Sequence, residues 1–260
     1  MSDISTEKQL NILDEDGIII LENVLDITQK ECAVSFGTMI ANKIISEASS
    51  HISHDDYGPD RFLLRTRDLQ KTLPVPSLLL PKKVEPLISA VFNRAGTSGT
   101  TPHLKPGSTF QTAGMAAHIL LPGGTQRPLH RDVEPLFSGA YPDMPAFSLA
   151  MHIPVTEFND LTGGTRIAVG THRHVVNPVK SYLGSVYEEK ACTVTASPGD
   201  IIIFDNRVWH ASGSNKSENA RIMLSVLFIA EWFGKWQAEV PEYIYKDLPE
   251  QMKLCMEICR

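Results

Sequence analysis

The chain has 260 residues, 42% of them hydrophobic and 21% charged, which is enough to bury one sizeable core and is an ordinary composition for a globular protein. A formal net charge of −6 with no basic cluster argues against a nucleic-acid backbone as partner. No apolar run approaches the roughly 18 residues a membrane helix needs, and the acidic stretch of residues 1–7 has no apolar signal core. A cytoplasmic protein is therefore expected. The four scattered cysteines, Cys32, Cys192, Cys255 and Cys259, form no C-x-x-C pair and read as structural thiols in a reducing compartment.

Residues 6–15 predict a short helix and residues 17–21 a short buried strand. Between 26 and 48, Val34, Met39, Ile40, Ile44 and Ile45 recur at helical spacing, so one long helix is expected, capped by Asp26 or Thr28. Residues 49–82 read as irregular. His51 and His54 fit a solvated loop, and Arg61, Arg65 and Arg67 a solvated or ion-paired set. A helix follows over 81–93, with Pro81 near its start, then a Gly/Thr/Ser/Pro loop to residue 107. From Phe110 onward, short apolar runs alternate with Gly and Pro turns: 113–121, 147–154, 191–196, 200–204, a segment around His210, and a run from Ala220 to Phe228. This series predicts a sandwich or jelly roll. His118 and His152 fall in such runs and read as packed histidines. Asn215-Lys216-Ser217 fits a glycosylation acceptor, expected to be unused without a secretory signal. The expected organisation is one domain, mainly β with flanking helices: helical support over 1–108, a core over 109–232 and a helical tail over 233–260.

The chemistry concentrates in two places. His130 and Asp132 are i and i+2, a spacing that puts both side chains on one face of an extended strand and about 200° apart on a helix. His210 lies 78 residues beyond Asp132, so folding must bring it alongside. Two neutral imidazoles and one carboxylate on one face of a six-coordinate ion leave three positions open, the pattern of non-haem Fe(II) oxygenases. Eleven residues after His210, Arg221 sits inside a strongly apolar, β-rich run. A guanidinium there is costly unless paired. Its partner is either a protein carboxylate or the distal carboxylate of a 2-oxo acid, gripped through two parallel hydrogen bonds.

Residues 128–132, Pro-Leu-His-Arg-Asp, resemble the His-x-Asp segment of the phytanoyl-CoA dioxygenase-like branch of Fe(II)/2-oxoglutarate oxygenases. Residues 160–172 resemble that branch's Asn-Gly-Ala/Gly-Thr-Arg to Pro-Gly-Ser-His turn, and Pro198-Gly199-Asp200 leading to His210 resembles its second half. The spacing from His210 to Arg221 is also similar, and the resemblance covers most of residues 10–232, with fungal enzymes of secondary metabolism nearest in pattern. It implies a double-stranded β-helix, a cupin-like jelly roll, with flanking helices. It implies Fe(II), 2-oxoglutarate as cosubstrate and dioxygen, with His130, Asp132 and His210 as metal ligands and Arg221 as the cosubstrate anchor. Many relatives carry Gln three residues before the first His. Arg127 stands there in this chain, with Gln126 one step earlier, so both are implied contacts for the cosubstrate, together with Thr165 and Ser212. The upstream stretch that carries Arg61, Arg65 and Arg67 would line the pocket mouth, with one of them meeting substrate, as part of a lid within 1–108. Because Asp132 is present where halogenating relatives lack a carboxylate, hydroxylation, desaturation or ring closure is implied, with release of succinate and CO2.

For the substrate, Phe137, Tyr141, Met144, Phe147, Trp232, Phe233 and Trp236 suit an apolar, ring-containing small molecule. A fatty acyl-CoA is the alternative, although it would want a basic groove. Two other classes stay open at this point: a cupin-like zinc hydrolase or isomerase using the same three ligands, and a non-catalytic partner subunit of a heteromeric oxygenase. Association into a homodimer or heterodimer is likewise left open.

Overall fold

The computed structural model of the chain describes residues 5–47, 60–65, 76–94, 109–134, 136–137, 144–174, 183–233, 238–240, 242–254 and 256–258. Helix α1 (Thr6–Asp16) opens on Ser5, whose hydroxyl accepts from the Lys8 N–H, and closes on Gly17 at φ 74°. Gly17 is required twice over, since a Cβ there would also meet Val208 and His172 within 2.5 Å. Strand β1 (Ile18–Leu21) follows directly. Helix α2 (Ile27–Glu47) is opened by Asp26, which exchanges hydrogen bonds with Gln29 in a capping box; Thr28 is already inside the helix. Its buried stripe is Ala33, Phe36, Ile40 and Ala41, whereas Met39, expected in that stripe, is 48% exposed.

Strand β2 (Arg61–Arg65) forms inside the stretch that reads as irregular. It is an edge strand, and its sequence Arg-Phe-Leu-Leu-Arg lacks the strict alternation that would announce it. Helix α3 (Glu85–Arg94) starts four residues after Pro81, across a turn. The strands follow in order: β3 (Phe110–Leu120), β4 (Ser148–Pro154), β5 (Thr165–Ile167), β6 (Cys192–Thr193), β7 (Ile201–Asp205), β8 (His210–Ser212) and β9 (Arg221–Ala230). Among the described residues, β1-β7-β4-β9-β3-β2 form an antiparallel sheet and β6-β5-β8 a smaller one. These are the facing sheets of a double-stranded β-helix.

Both faces of the large sheet are covered, and each face has its own core. Ile19, Ile119, Leu149, Met151, Ile203, Leu224 and Phe228 pack with Leu13, Phe36, Ile40, Leu87 and Phe92 from the helices. Phe110 sits between the rings of Phe92 and Phe228 (centroids 5.4 and 5.7 Å). On the opposite face, Ile18, Ala150, Ile202, Phe204 and Met223 meet Ile167 of the small sheet and Val194, the residue after β6. A bulge in β3 between Thr112 and Met115, with Gly114 at φ 83°, inserts one residue.

The tail is not a continuous helix. Short helices α4 (Glu242–Asp247) and α5 (Glu250–Leu254) lie between β10 (Ala238–Val240) and β11 (Met256–Ile258), which pair in parallel. Pro249 has no N–H and cannot extend α4. Asn215, of the glycosylation-like triplet, is buried and donates to the Leu120 and Asn219 carbonyls, so its amide is committed to holding the β8–β9 loop. Cys32 and Cys192 are free thiols; Cys255 and Cys259 lie outside the described residues. No helix among the described residues is long and apolar enough to cross a membrane.

At the end of β7, buried Asp205 accepts from Arg207 Nε and Nη2 (2.6 Å to Oδ2). The guanidinium also bonds the Met144 carbonyl and covers the Phe147 ring. Arg207→Met strands a buried carboxylate and is expected to cost about 3–5 kcal/mol in urea denaturation. Adding Asp205→Leu should restore most of that loss. No recovery in the double variant would show that the pair is not coupled.

Candidate metal centre

After the Gly123-Gly124 turn, the chain runs extended alongside β8. His130 and His210 form a single antiparallel bridge with reciprocal N–H···O bonds of 2.9 Å. Directly opposed residues of such a bridge project to the same face. Two residues on, the Asp132 N–H bonds the Asn206 carbonyl at 3.0 Å and its side chain returns to that face. One ligand atom from each of His130, Asp132 and His210 lies within 4.8 Å of the others. His130 Nε2 is 3.7 Å from Asp132 Oδ1, and His210 Nε2 is 3.6 Å from Oδ2. Adjacent ligands at about 2.1 Å from an ion stand roughly 3 Å apart, so only a small closure is needed.

The ring orientations also suit a metal. His130 Nδ1 contacts the Pro128 carbonyl (3.1 Å) and His210 Nδ1 the Val208 carbonyl (2.9 Å). A carbonyl can only accept, so each Nδ1 carries a proton and each Nε2 is the atom that faces the centre. Burial opposes ionisation of Asp132, but the charge and hydrogen bond of His210, then the charge of His130, outweigh it and hold the carboxyl far below its ordinary range. Burial likewise opposes charging His210, and Asp132 outweighs it, raising that imidazole. Burial, then His210, pushes His130 down to about 4. His210 is buried, while the Asp132 side chain is 46% exposed, so the cluster opens on the Asp132 side.

A second cluster lies further along the same interior. Arg61, Leu120 and Arg221 are direct partners across β2, β3 and β9, so all three project to one face. Arg61 Nη1 and Arg221 Nη2 both donate to Ser212 Oγ, at 2.8 and 2.7 Å, and Arg61 also donates to the Thr125 carbonyl. Arg221 is 4% exposed, and its Nε and Nη1 are buried without a hydrogen-bond partner. Burial, then the charge of Arg61, lowers its pKa to about 9. Buried Thr165 is the cross-strand partner of Ser212 in β5.

The structure thus groups His130, Asp132 and His210, and separately Arg221, Ser212 and Thr165, with Arg61 added to the second group. Gln126 is turned away: it faces Glu188 (3.5 Å), beside the Arg166–Glu188 ion pair on the outer side of the small sheet. Its neighbour Arg127 lies on the triad side, since its charge disfavours protonation of both His130 and His210. The Arg65 side chain and the whole of Arg67, His51, His54, Tyr141 and Trp236 lie outside the described residues.

Among the described residues, the expected aromatic pocket wall does not line the barrel. Phe147 is fully buried in the main core against Phe233 and Trp232 (4.7 and 5.8 Å). Phe137 is 57% exposed. Met144 lines a cavity of about 350 Å3 beside α1, α3 and His172, to which no triad residue contributes.

A model of the family described as phytanoyl-CoA dioxygenase (PhyH) matches residues 13–223. Dioxygenase trt7 of Aspergillus terreus is 24% identical over 252 residues, covering 91% of this chain and 78% of that protein. Among solved structures, HygX of Streptomyces hygroscopicus, with nickel, 2-oxoglutarate and hygromycin B bound, superposes with TM-score 0.62 at 13% identity, covering 98% of this chain and 96% of that one. The non-heme alpha ketoglutarate dependent epimerase SnoN from nogalamycin biosynthesis superposes with TM-score 0.62 at 15% identity, covering 86% and 80%.

A metal at this centre displaces the proton that His210 holds against Asp132, whereas His130 holds none until pH falls toward 4. Manganese affinity is therefore expected to strengthen as pH rises from about 6 toward the raised His210 pKa, up to roughly tenfold per pH unit. Calorimetry in two buffers of different ionisation enthalpy should register a released proton. A pH-independent affinity with no proton release would contradict this assignment.

Proposed function

The chain belongs to the phytanoyl-CoA dioxygenase family and is a non-haem iron, 2-oxoglutarate-dependent dioxygenase; from that premise we propose that His130, Asp132 and His210 hold the iron and that Arg221 anchors the distal carboxylate of 2-oxoglutarate. The observation that carries the anchor is the state of Arg221. Its buried guanidinium has two nitrogens without a partner and shares one hydroxyl with a second arginine. Such a cation is strongly unfavourable without an anion, and a carboxylate offers the planar acceptor pair that it fits.

The spacing supports the same reading. Ser212, which carries both guanidinium contacts, is two residues along β8 from His210, about 6–7 Å of strand. The five carbons of the diacid span roughly 5 Å at ordinary bond lengths, so one molecule can reach from the triad to the arginines. Thr165 and Arg127 are the flanking contacts, and Arg61 shares the anchor. When bound, Fe(II) with the 2-oxo acid and dioxygen supplies the oxidising power to take hydrogen from an unactivated C–H bond, while 2-oxoglutarate leaves as succinate and CO2. The protein fixes the imidazoles through the Pro128 and Val208 carbonyls, neutralises the cosubstrate with arginines and keeps the Arg221 end of the site dry.

The substrate is proposed to be a small molecule of secondary metabolism that is hydroxylated, desaturated or cyclised. Matches to SnoN, from nogalamycin biosynthesis, and to HygX, seen with hygromycin B bound, support that class. The barrel wall also carries His118, His152 and Ser225, which favours a molecule bearing oxygen over a bare hydrocarbon chain.

His210→Ala should retain no iron and release no succinate. Arg221→Ala should raise the 2-oxoglutarate requirement for succinate release about 100-fold, and Arg61→Met about tenfold. The melting temperature of Arg221→Ala should not fall, because the variant removes a buried charge with two unpartnered nitrogens. An unchanged 2-oxoglutarate requirement in Arg221→Ala would overturn the anchor.

A further inference from the structure

Midway along the barrel interior the large sheet carries polar groups that belong neither to the triad nor to the Arg221 cluster. His152 of β4 stands directly opposite Ser225 of β9 and Ile202 of β7. Ser225 Oγ is 2.8 Å from Nε2 of His118, which projects to the same face from β3. His152 is 7% exposed, and its Nδ1 is buried without a hydrogen-bond partner. On its far side the interior is apolar, filled by Ile18, Ala150, Phe158, Ile202 and Phe204. The His152 ring meets the Phe204 ring edge-on (4.9 Å, 82°), and Phe204 in turn packs on the ligand His210 (4.8 Å). The imidazole is therefore one aromatic ring away from the triad.

A buried imidazole nitrogen left unpaired costs about 1–3 kcal/mol, and an apolar side chain of similar size would fill the space without that cost. Burial, then the charges of His118 and His210, disfavour its protonated form. It is thus a neutral ring with one N–H to give and one lone pair to receive. Along β9 the same face carries Arg221, then Met223, then Ser225, so His152 and Ser225 are two positions beyond the Arg221 end, on the way to the Phe204–His210 contact.

We propose that His152, braced by Phe204 and lying beside the Ser225–His118 pair, is a cosubstrate-binding residue that hydrogen-bonds an oxygen at the metal-chelating end of 2-oxoglutarate. This rests on the function proposed above, because it needs the diacid to run from the triad to Arg221. Its donor-acceptor ring sets the tilt of the chelating group, which an apolar wall at that place would leave free.

The test uses the full chain, loaded anaerobically with Fe(II) and titrated with 2-oxoglutarate while the visible charge-transfer absorption is recorded. His152→Phe and His152→Leu remove the hydrogen bond and keep an apolar filling; His152→Gln keeps a donor and an acceptor. Both apolar variants are expected to shift the band and to weaken 2-oxoglutarate about tenfold, and His152→Gln to stay within about threefold of the parent. Apolar variants that fold and bind 2-oxoglutarate with the parent's affinity and band overturn the proposal and leave the ring to the primary substrate or to packing. Apolar variants that both fail to fold overturn it too, since the ring is then structural. Failure of the underlying function reads differently: the parent itself would give no band with Fe(II) and 2-oxoglutarate.

Discussion

The site depends on one pair of backbone hydrogen bonds. His130 and His210 exchange N–H···O bonds of 2.9 Å across a single bridge, outside any regular strand on the His130 side. That bridge fixes a loop to β8 and sends two imidazoles to the same side. The Asp132–Asn206 backbone bond then fixes the carboxylate. The end of β7 is itself held by the buried Asp205–Arg207 pair. The proposed metal-ligand constellation is therefore supported from the backbone outward, and the side chains need little further adjustment to meet one ion.

The barrel interior is divided by chemistry. Beneath β1, β7 and part of β4 it is filled with aliphatic and phenyl groups, which gives the scaffold its second core. Beneath β3, β9 and β2 it carries Arg61, Arg221, His118 and Ser225. Phe204 stands at the boundary, touching His152 on one side and His210 on the other. Two guanidinium groups on one hydroxyl are unfavourable in the isolated protein, and binding of a dianion relieves that repulsion. In the proposed anchor, affinity for the cosubstrate and repulsion between the two guanidinium groups are thus two sides of one arrangement.

Much of this was legible in the sequence because it rests on spacing. His130 and Asp132 at i and i+2, and an arginine in an apolar strand eleven residues past His210, have few structural solutions. The strands with clear turns, β4, β7 and β9, were readable for the same reason. Other features were hidden. The strand holding Arg61 is an edge strand without clean alternation, so its role in the cluster emerges only from pairing with β3. All seven residues of β4 are buried, on both faces of a sheet covered on each side, so nothing in the sequence tells which face His152 takes. Pro128 interrupts the segment beside β8, and the parity of Gln126 and Arg127 could not be counted across it. The aromatic residues Phe147 and Phe233 suit a ligand wall as well as they suit a core, and here packing claims them.

The most direct measurement is a crystal structure of the chain grown without oxygen, with manganese and 2-oxoglutarate present. The account predicts manganese bonded to Nε2 of His130, Nε2 of His210 and a carboxylate oxygen of Asp132, with the far carboxylate of the diacid on the Arg221 guanidinium. Manganese bound elsewhere, or a diacid whose free carboxylate leaves Arg221 unpaired, would contradict it.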